Sequence, residues 1–209
     1  MVSTPRSAAV TLALPVFALL GAVSAGCDSG DEDDPPSAGR FVVAVLAAPP
    51  DTTTGVSGSV QISERDGDLR IAYNLSGLSP GSHGLHVHER ASCTRGDANG
   101  DGRPEAAGAA GGHYDPLGTR NHSGPSISDP ESRHLGDLGN VQADENGRAN
   151  GSKLVRGIQL SGELGGVAYS MLEGRSVVVT GSRDDLESEP VGNAGARVGC
   201  AALVQGGVE

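Results

Sequence analysis

From residue 40 onward, apolar and polar positions alternate with a period of two, the spacing of strands that bury one face. Residues 41–46 form a β-branched apolar run, and over 56–63 apolar or small residues alternate with polar ones. After Arg65-Asp66-Gly67-Asp68, whose composition suits a hairpin turn, Leu69, Ile71, Tyr73 and Leu75 continue the alternation on a returning strand. Further strands are predicted at 83–89, 138–143, 148–155, 175–180 and 196–205. About eight strands in all predict an all-β fold, an antiparallel Greek-key barrel or sandwich. Two connections, 90–135 and 181–195, are too long for hairpins, and loops of that length are functional or disordered.

The first 39 residues have a different pattern. One positive charge at Arg6 precedes an apolar run over 7–25 that ends in small residues before Cys27, which reads as an export signal. A single-pass anchor fits less well, because the run is short for a bilayer and lacks a basic flank. Val23-Ser24-Ala25-Gly26-Cys27 resembles a bacterial lipobox, in which the cysteine is acylated and becomes the new N-terminus, although Ser24 stands where leucine is usual. Cleavage after Ala25 without lipidation is the alternative. Residues 28–39 hold no apolar side chain larger than alanine or proline and predict an acidic, solvated tether. The expected organisation is a lipoprotein-type signal peptide over 1–26, a tether over 27–39 and one domain over 40–209, exported to the periplasmic or extracellular side of the cell envelope, with the lipid as its only membrane attachment.

Composition narrows the function classes. Thirty-three glycines and twelve prolines, against three tyrosines, two phenylalanines and no tryptophan, describe short elements and many turns rather than helical bundles or aromatic base-stacking platforms. A formal charge of -11 argues against a basic nucleic-acid surface. Losing the signal removes Arg6 and leaves 14 basic against 26 acidic residues, or -12. Three cysteines leave one over: if Cys27 takes lipid, Cys93 and Cys200 remain as a pair in an oxidising compartment.

The candidate chemistry lies in the histidines, all six of which fall between residues 83 and 134. His86-Val87-His88 puts two imidazoles on one face of a strand, with Cα atoms about 6.5 Å apart, so both rings can converge on one ion while Val87 turns to the core. His113, His122 and His134, with Asp137 three residues after His134, add three imidazoles and a carboxylate, a set suited to tetrahedral zinc.

Five stretches in order carry a resemblance that runs from about residue 40 to 203: Gly84-Leu-His86-Val-His88-Glu, Gly111-Gly-His113-Tyr-Asp-Pro, Arg133-His134-Leu-Gly-Asp137-Leu-Gly-Asn-Val, Gly174-Arg-Ser-Val-Val-Val, and Gly192-Asn-Ala-Gly-Ala-Arg197-Val-Gly-Cys200. The chain resembles copper/zinc superoxide dismutase. The resemblance implies copper on His86, His88 and His113, with His113 bridging to a zinc that His122, His134 and Asp137 also hold. It implies that Asp184 hydrogen-bonds the outer nitrogens of one copper and one zinc histidine, that His83 is structural, that Arg197 attracts superoxide to the copper, and that Cys93 and Cys200 form a disulfide. The implied reaction oxidises one superoxide to dioxygen and reduces a second, with two protons, to hydrogen peroxide.

Two departures matter. The family's fourth copper histidine follows the Gly-Arg-x-Val-Val-Val strand, where this chain has Thr180, and no other histidine is left to replace it. A three-imidazole site favours Cu(I) and slows one half of the cycle. The second is an insertion, Arg95-Gly-Asp97-Ala-Asn99-Gly-Asp101-Gly102, which has the opening of a calcium loop but Gly108 at the twelfth position, so a polar turn is the expectation. The leading reading is an exported dismutase weakened by Thr180. A copper-binding or copper-delivery protein on the same fold is the alternative, and a zinc-stabilised domain without copper chemistry is a third.

Overall fold

A computed structural model describes residues 40–50, 55–125 and 129–206. The expected signal, the lipidated Cys27 and the tether lie outside the described residues. Within them, no helix is long and apolar enough to cross a membrane.

Eleven strands are present among the described residues: β1 (Phe41–Leu46), β2 (Ser57–Arg65), β3 (Asp68–Ser76), β4 (Gly81–His88), β5 (Asp137–Ala143), β6 (Arg148–Val155), β7 (Ser161–Leu164), β8 (Val167–Ser170), β9 (Ser176–Thr180), β10 (Arg197–Ala202) and β11 (Val204–Gly206). They pair antiparallel in a five-stranded sheet ordered β11-β1-β2-β3-β6, a four-stranded sheet ordered β10-β9-β4-β5, and the separate hairpin β7-β8. The all-β antiparallel expectation holds, and the count of eight does not. The β7-β8 hairpin was not anticipated, and the strand expected over 196–205 breaks at Leu203, where the chain passes from one sheet to the other.

The two large sheets face each other across a core of aliphatic side chains. Val42, Ala44 and Leu46 of β1, Val60 and Ile62 of β2 and Leu69, Ile71 and Leu75 of β3 are buried on one side. Leu85 and Val87 of β4, Leu138 and Val141 of β5 and Val177 and Val179 of β9 meet them from the other. The β2-β3 hairpin closes through Asp66 and Gly67, both at positive φ, as a two-residue turn matched to strand twist requires.

Strands β4 and β9 depart from simple alternation because both of their faces are covered. On β4, Gly84, His86 and His88 point away from the sandwich core and are still buried, under the two long connections. On β9, Val178 points the same way and packs with Ala107, Ala110 and Cys200 in a small second cluster. Cys93 in the first long loop and Cys200 on β10 are joined as a disulfide, with Cα atoms 5.7 Å apart, and pin that loop to the sheet. Polar side chains sealed between a sheet and its loops are costly to bury unless they bind something or one another, and this layer holds the site.

Candidate metal centre

Strand β4 supplies His86 and His88 from one face, and their ring centroids lie 6.4 Å apart. The 89–136 connection folds back so that His113 forms an antiparallel bridge with His88 and its ring stacks 4.0 Å from His86. His122 and His134 come from the same connection, and Asp137 opens β5. Three groups have ligand atoms within 4.8 Å of one another; His86, His122 and Asp184 are tied by hydrogen bonds, which leaves two clusters, His86, His88 and His113, and His113, His122, His134 and Asp137. His113 belongs to both. All six expected ligands are brought together and buried.

The hydrogen bonds fix which nitrogen of each ring faces inward. His88 Nδ1 donates to the carbonyl of Gly111 at 3.0 Å. Asp184 lies behind both clusters, with Oδ2 2.7 Å from His86 Nε2 and Oδ1 2.8 Å from His122 Nε2. The opposite atoms, His88 Nε2, His86 Nδ1 and His122 Nδ1, are buried without a hydrogen-bond partner among the described residues, as is His134 Nδ1. Four buried, unpartnered imidazole nitrogens facing common points are what a metal centre needs and what a metal-free core avoids. In the second cluster, His113 Nδ1 donates to one oxygen of Asp137 at 2.7 Å, while His122 Nδ1 lies 3.1 Å from that same oxygen and His134 Nδ1 3.4 Å from the other, neither of these two as a hydrogen bond. Atoms bound about 2.0–2.1 Å from a tetrahedral ion lie about 3.3 Å apart, close to the two non-bonded separations, and three imidazoles with one carboxylate are a donor set that zinc takes. The three-imidazole set fits copper equally in ligand type.

Electrostatics favour a cation here. Burial, reinforced by His86, lowers His113 to about 3, and burial holds His88 well below the usual imidazole range, so both rings are neutral. Burial also opposes a charge on His122, but its hydrogen bond to Asp184 and the nearby charges of Asp137 and Asp184 outweigh it and raise that ring to about 10. Both carboxyls are buried and are nevertheless held below the usual carboxylate range by the histidines that donate to them. The pocket is therefore built around positive charge, which an ion can supply in place of a proton.

Residues beyond the ligands support the site. Asn140 clamps Asp184 at its backbone, accepting from Asp184 N and donating to Asp184 O, both at 2.9 Å. Lys153, the only lysine in the chain, donates to Asn140 O at 2.9 Å from β6. Arg133 is fully buried and donates from Nη1 to the carbonyls of His134 and Asp137. Gly192 sits at positive φ where a Cβ would lie 1.9 Å from Asp184 Oδ1, so only glycine lets the second loop close over the carboxylate. Asn140, Arg133 and Gly192 sit inside the motifs quoted above, whereas Lys153 has no local signal beyond its rarity.

Thr180 ends β9 on the same face as His86 and is buried. Its Oγ1 lies 3.3 Å from Gly84 O and 3.2 Å from Ser182 O, and it can donate to one of them at a time. His83 is tied to backbone carbonyls at both nitrogens, Thr180 O at 2.9 Å and Ser79 O at 2.7 Å, and joins neither cluster. Arg197 pairs with Thr180 across β10 and β9, and donates to Ala107 O at 2.7 Å and Gly111 O at 2.8 Å. His88, His113, Thr180 and Arg197 line one open cavity of about 640 Å³. In the 95–102 segment the Asp97 carboxylate accepts from the backbone of Gly100, Asp101 and Gly102, which is the polar turn expected.

The family described as copper/zinc superoxide dismutase matches residues 56–203. The chain is similar to a Cu-Zn superoxide dismutase of Deinococcus radiodurans, 35% identical over 73% of this chain and 80% of the relative. It is likewise similar to one of Paramecium bursaria Chlorella virus 1, 38% identical over 77% of this chain and 76% of that protein. The solved structure of Cu/Zn superoxide dismutase from Brucella abortus superposes with a TM-score of 0.62 at 32% identity, covering 78% of this chain and 98% of that one. With the fold, the two clusters sharing His113 and these relatives in agreement, the chain belongs to the copper/zinc superoxide dismutase family.

Proposed function

We propose that the protein is an exported superoxide dismutase that holds copper on His86, His88 and His113 and zinc on His113, His122, His134 and Asp137, with activity weakened by Thr180. The observation that carries this reading is the set of buried imidazole nitrogens without partners, arranged in two clusters that share one histidine and are braced from behind by one carboxylate. Copper, when bound, supplies one-electron cycling between Cu(II) and Cu(I), and zinc supplies a fixed charge without redox change. Asp184 fixes the tautomers of His86 and His122, so that each presents Nδ1 to its cluster. Arg197 presents a permanent positive charge in the cavity that reaches His88 and His113, where a small anion would be oriented.

Thr180 favours a second reading, a copper-binding or copper-delivery protein on the same fold. A neutral hydroxyl is a poor copper ligand, and three nitrogens suit Cu(I). Loading the protein with both metals, measuring stoichiometry and then assaying dismutation separates the readings. The dismutase reading expects one copper, one zinc and measurable turnover. Copper without turnover indicates storage or delivery, and zinc alone indicates a structural domain.

Export is supported by the Cys93–Cys200 disulfide, which persists in oxidising compartments, and by the signal-like start of the chain. Mass spectrometry of the mature protein is expected to show an acylated Cys27 at the N-terminus. A chain beginning at Gly26 with a free Cys27 thiol would contradict lipid attachment.

A further inference from the structure

The Arg95–Glu105 segment, left without a role by the metal chemistry, forms one wall of the cavity above the copper ligands. Its ends are clasped by paired backbone hydrogen bonds, Gly96 N to Glu105 O at 3.2 Å and Glu105 N to Gly96 O at 2.9 Å. The Asp97 carboxylate holds the tip from inside, and Arg95 donates to Pro104 O at 2.6 Å. The segment is self-supporting, and its Ala98, Asn99 and Glu105 line the cavity. Glu105 Oε1 lies 4.0 Å from Nη2 of Arg197, which lines the cavity together with His88 and His113. Two residues further on, the Ala107 carbonyl accepts from the same guanidinium. One stretch of chain therefore brings both a carbonyl and a carboxylate to Arg197.

The cavity wall as a whole is net acidic. Its ionisable lining, imidazoles aside, is Glu89, Glu105, Asp115 and Glu189 against Arg120 and Arg197. Of the four acids, only Glu105 contacts Arg197. The Arg197 side chain is 9% exposed and that of Glu105 47%, so a small anion entering from solvent meets the carboxylate before the guanidinium it must pair with.

We propose that Glu105 is a specificity-determining residue of this channel: its carboxylate beside Arg197 offsets the guanidinium's charge and sets a barrier that weakens the binding of small anions at the copper site. The proposal rests on the reading of this cavity as the route to copper. Two consequences follow from the electrostatics. Superoxide association should accelerate with added salt, because salt screens a repulsion. Neutralising Glu105 should strengthen anion binding by about three- to ten-fold, the range for one charge removed near a partly solvated site.

The test uses the full chain loaded with copper and zinc, with azide titrated against the visible absorption of Cu(II), for the parent, Glu105→Gln and Glu163→Gln. Glu163 is an exposed acid on β7 whose loss changes net charge by the same amount. The expected result is tighter azide binding, about three- to ten-fold, in Glu105→Gln alone, together with dismutation that rises with sodium chloride in the parent and is flat or falling in Glu105→Gln. Equal azide affinity in parent and Glu105→Gln, or the same gain in Glu163→Gln, overturns the proposal. Tighter azide binding without dismutation in either protein supports it while removing the dismutase reading. Failure of the parent to take up copper overturns both.

Discussion

Asp184 joins the two clusters through a single side chain, since its two oxygens hold His86 and His122 by their outer nitrogens. Asp184→Asn keeps the size but replaces one acceptor with a donor, so one of the two rings loses its orientation. Competition with a chelator is expected to show metal affinity reduced by about 10- to 100-fold; unchanged affinity would mean that the carboxylate is a bystander. Lys153 is a separate case, because burial lowers it from 10.5 to about 8 while the charge of Asp184 works in the opposite direction. Between those pH values the unfolded chain holds a proton that the folded chain has released, so stability rises with pH across the window. Denaturant unfolding should show the parent gaining about 1–3 kcal/mol on Lys153→Met between pH 8 and 10, and parallel pH profiles would contradict a lowered Lys153. The metal-ligand candidates were legible in the sequence because imidazole pairs and a carboxylate at fixed spacing have few other uses. Asn140, Lys153 and Glu105 were not, since their partners Asp184, Asn140 and Arg197 are 44, 13 and 92 positions away in the chain and no local pattern encodes contacts at such separations.

Among the elements, β1, β2 and β3 were readable because one face is buried and the period of two survives in the sequence. Strand β9 reads as an unbroken Val-Val-Val run because the second cluster covers its outer face as well. The β7-β8 hairpin has a weak sequence pattern because its strands are four residues each and bury only Tyr169 among them, although Gly165-Gly166 between them is a recognised hairpin signal. The split of β10 from β11 at Leu203 depends on which sheet each half joins, a tertiary fact without a local marker. The element-scale test concerns the long loop. Its disulfide spans 107 positions, and in the chain-entropy model closing that length is worth about 4–5 kcal/mol. Cys93→Ser should therefore lower unfolding stability by several kcal/mol, about 2–5, and should loosen Ala107 and Ala110, which pack beside Cys200. Equal denaturation midpoints with and without reductant would show that the loop is held by other contacts.

For the whole molecule, two sheets supply a rigid frame and two long connections close a metal-binding layer against one of them. Removing zinc should leave the five-stranded sheet protected and increase amide exchange throughout 90–135, because three of the four proposed zinc ligands come from that loop. Exchange spread evenly over both sheets would indicate that the metal holds the fold and not the loop. The central claim is a copper/zinc dismutase site complete except at Thr180, and the most direct measurement is the dismutation rate of protein loaded with both metals, compared with Thr180→His. The expected result is weak turnover in the parent, at least a ten-fold increase on restoring the imidazole (about 1.4 kcal/mol of barrier), and a visible spectrum shifted toward four-nitrogen Cu(II). A Thr180→His protein that takes up copper with neither its rate nor its spectrum changed would contradict the account.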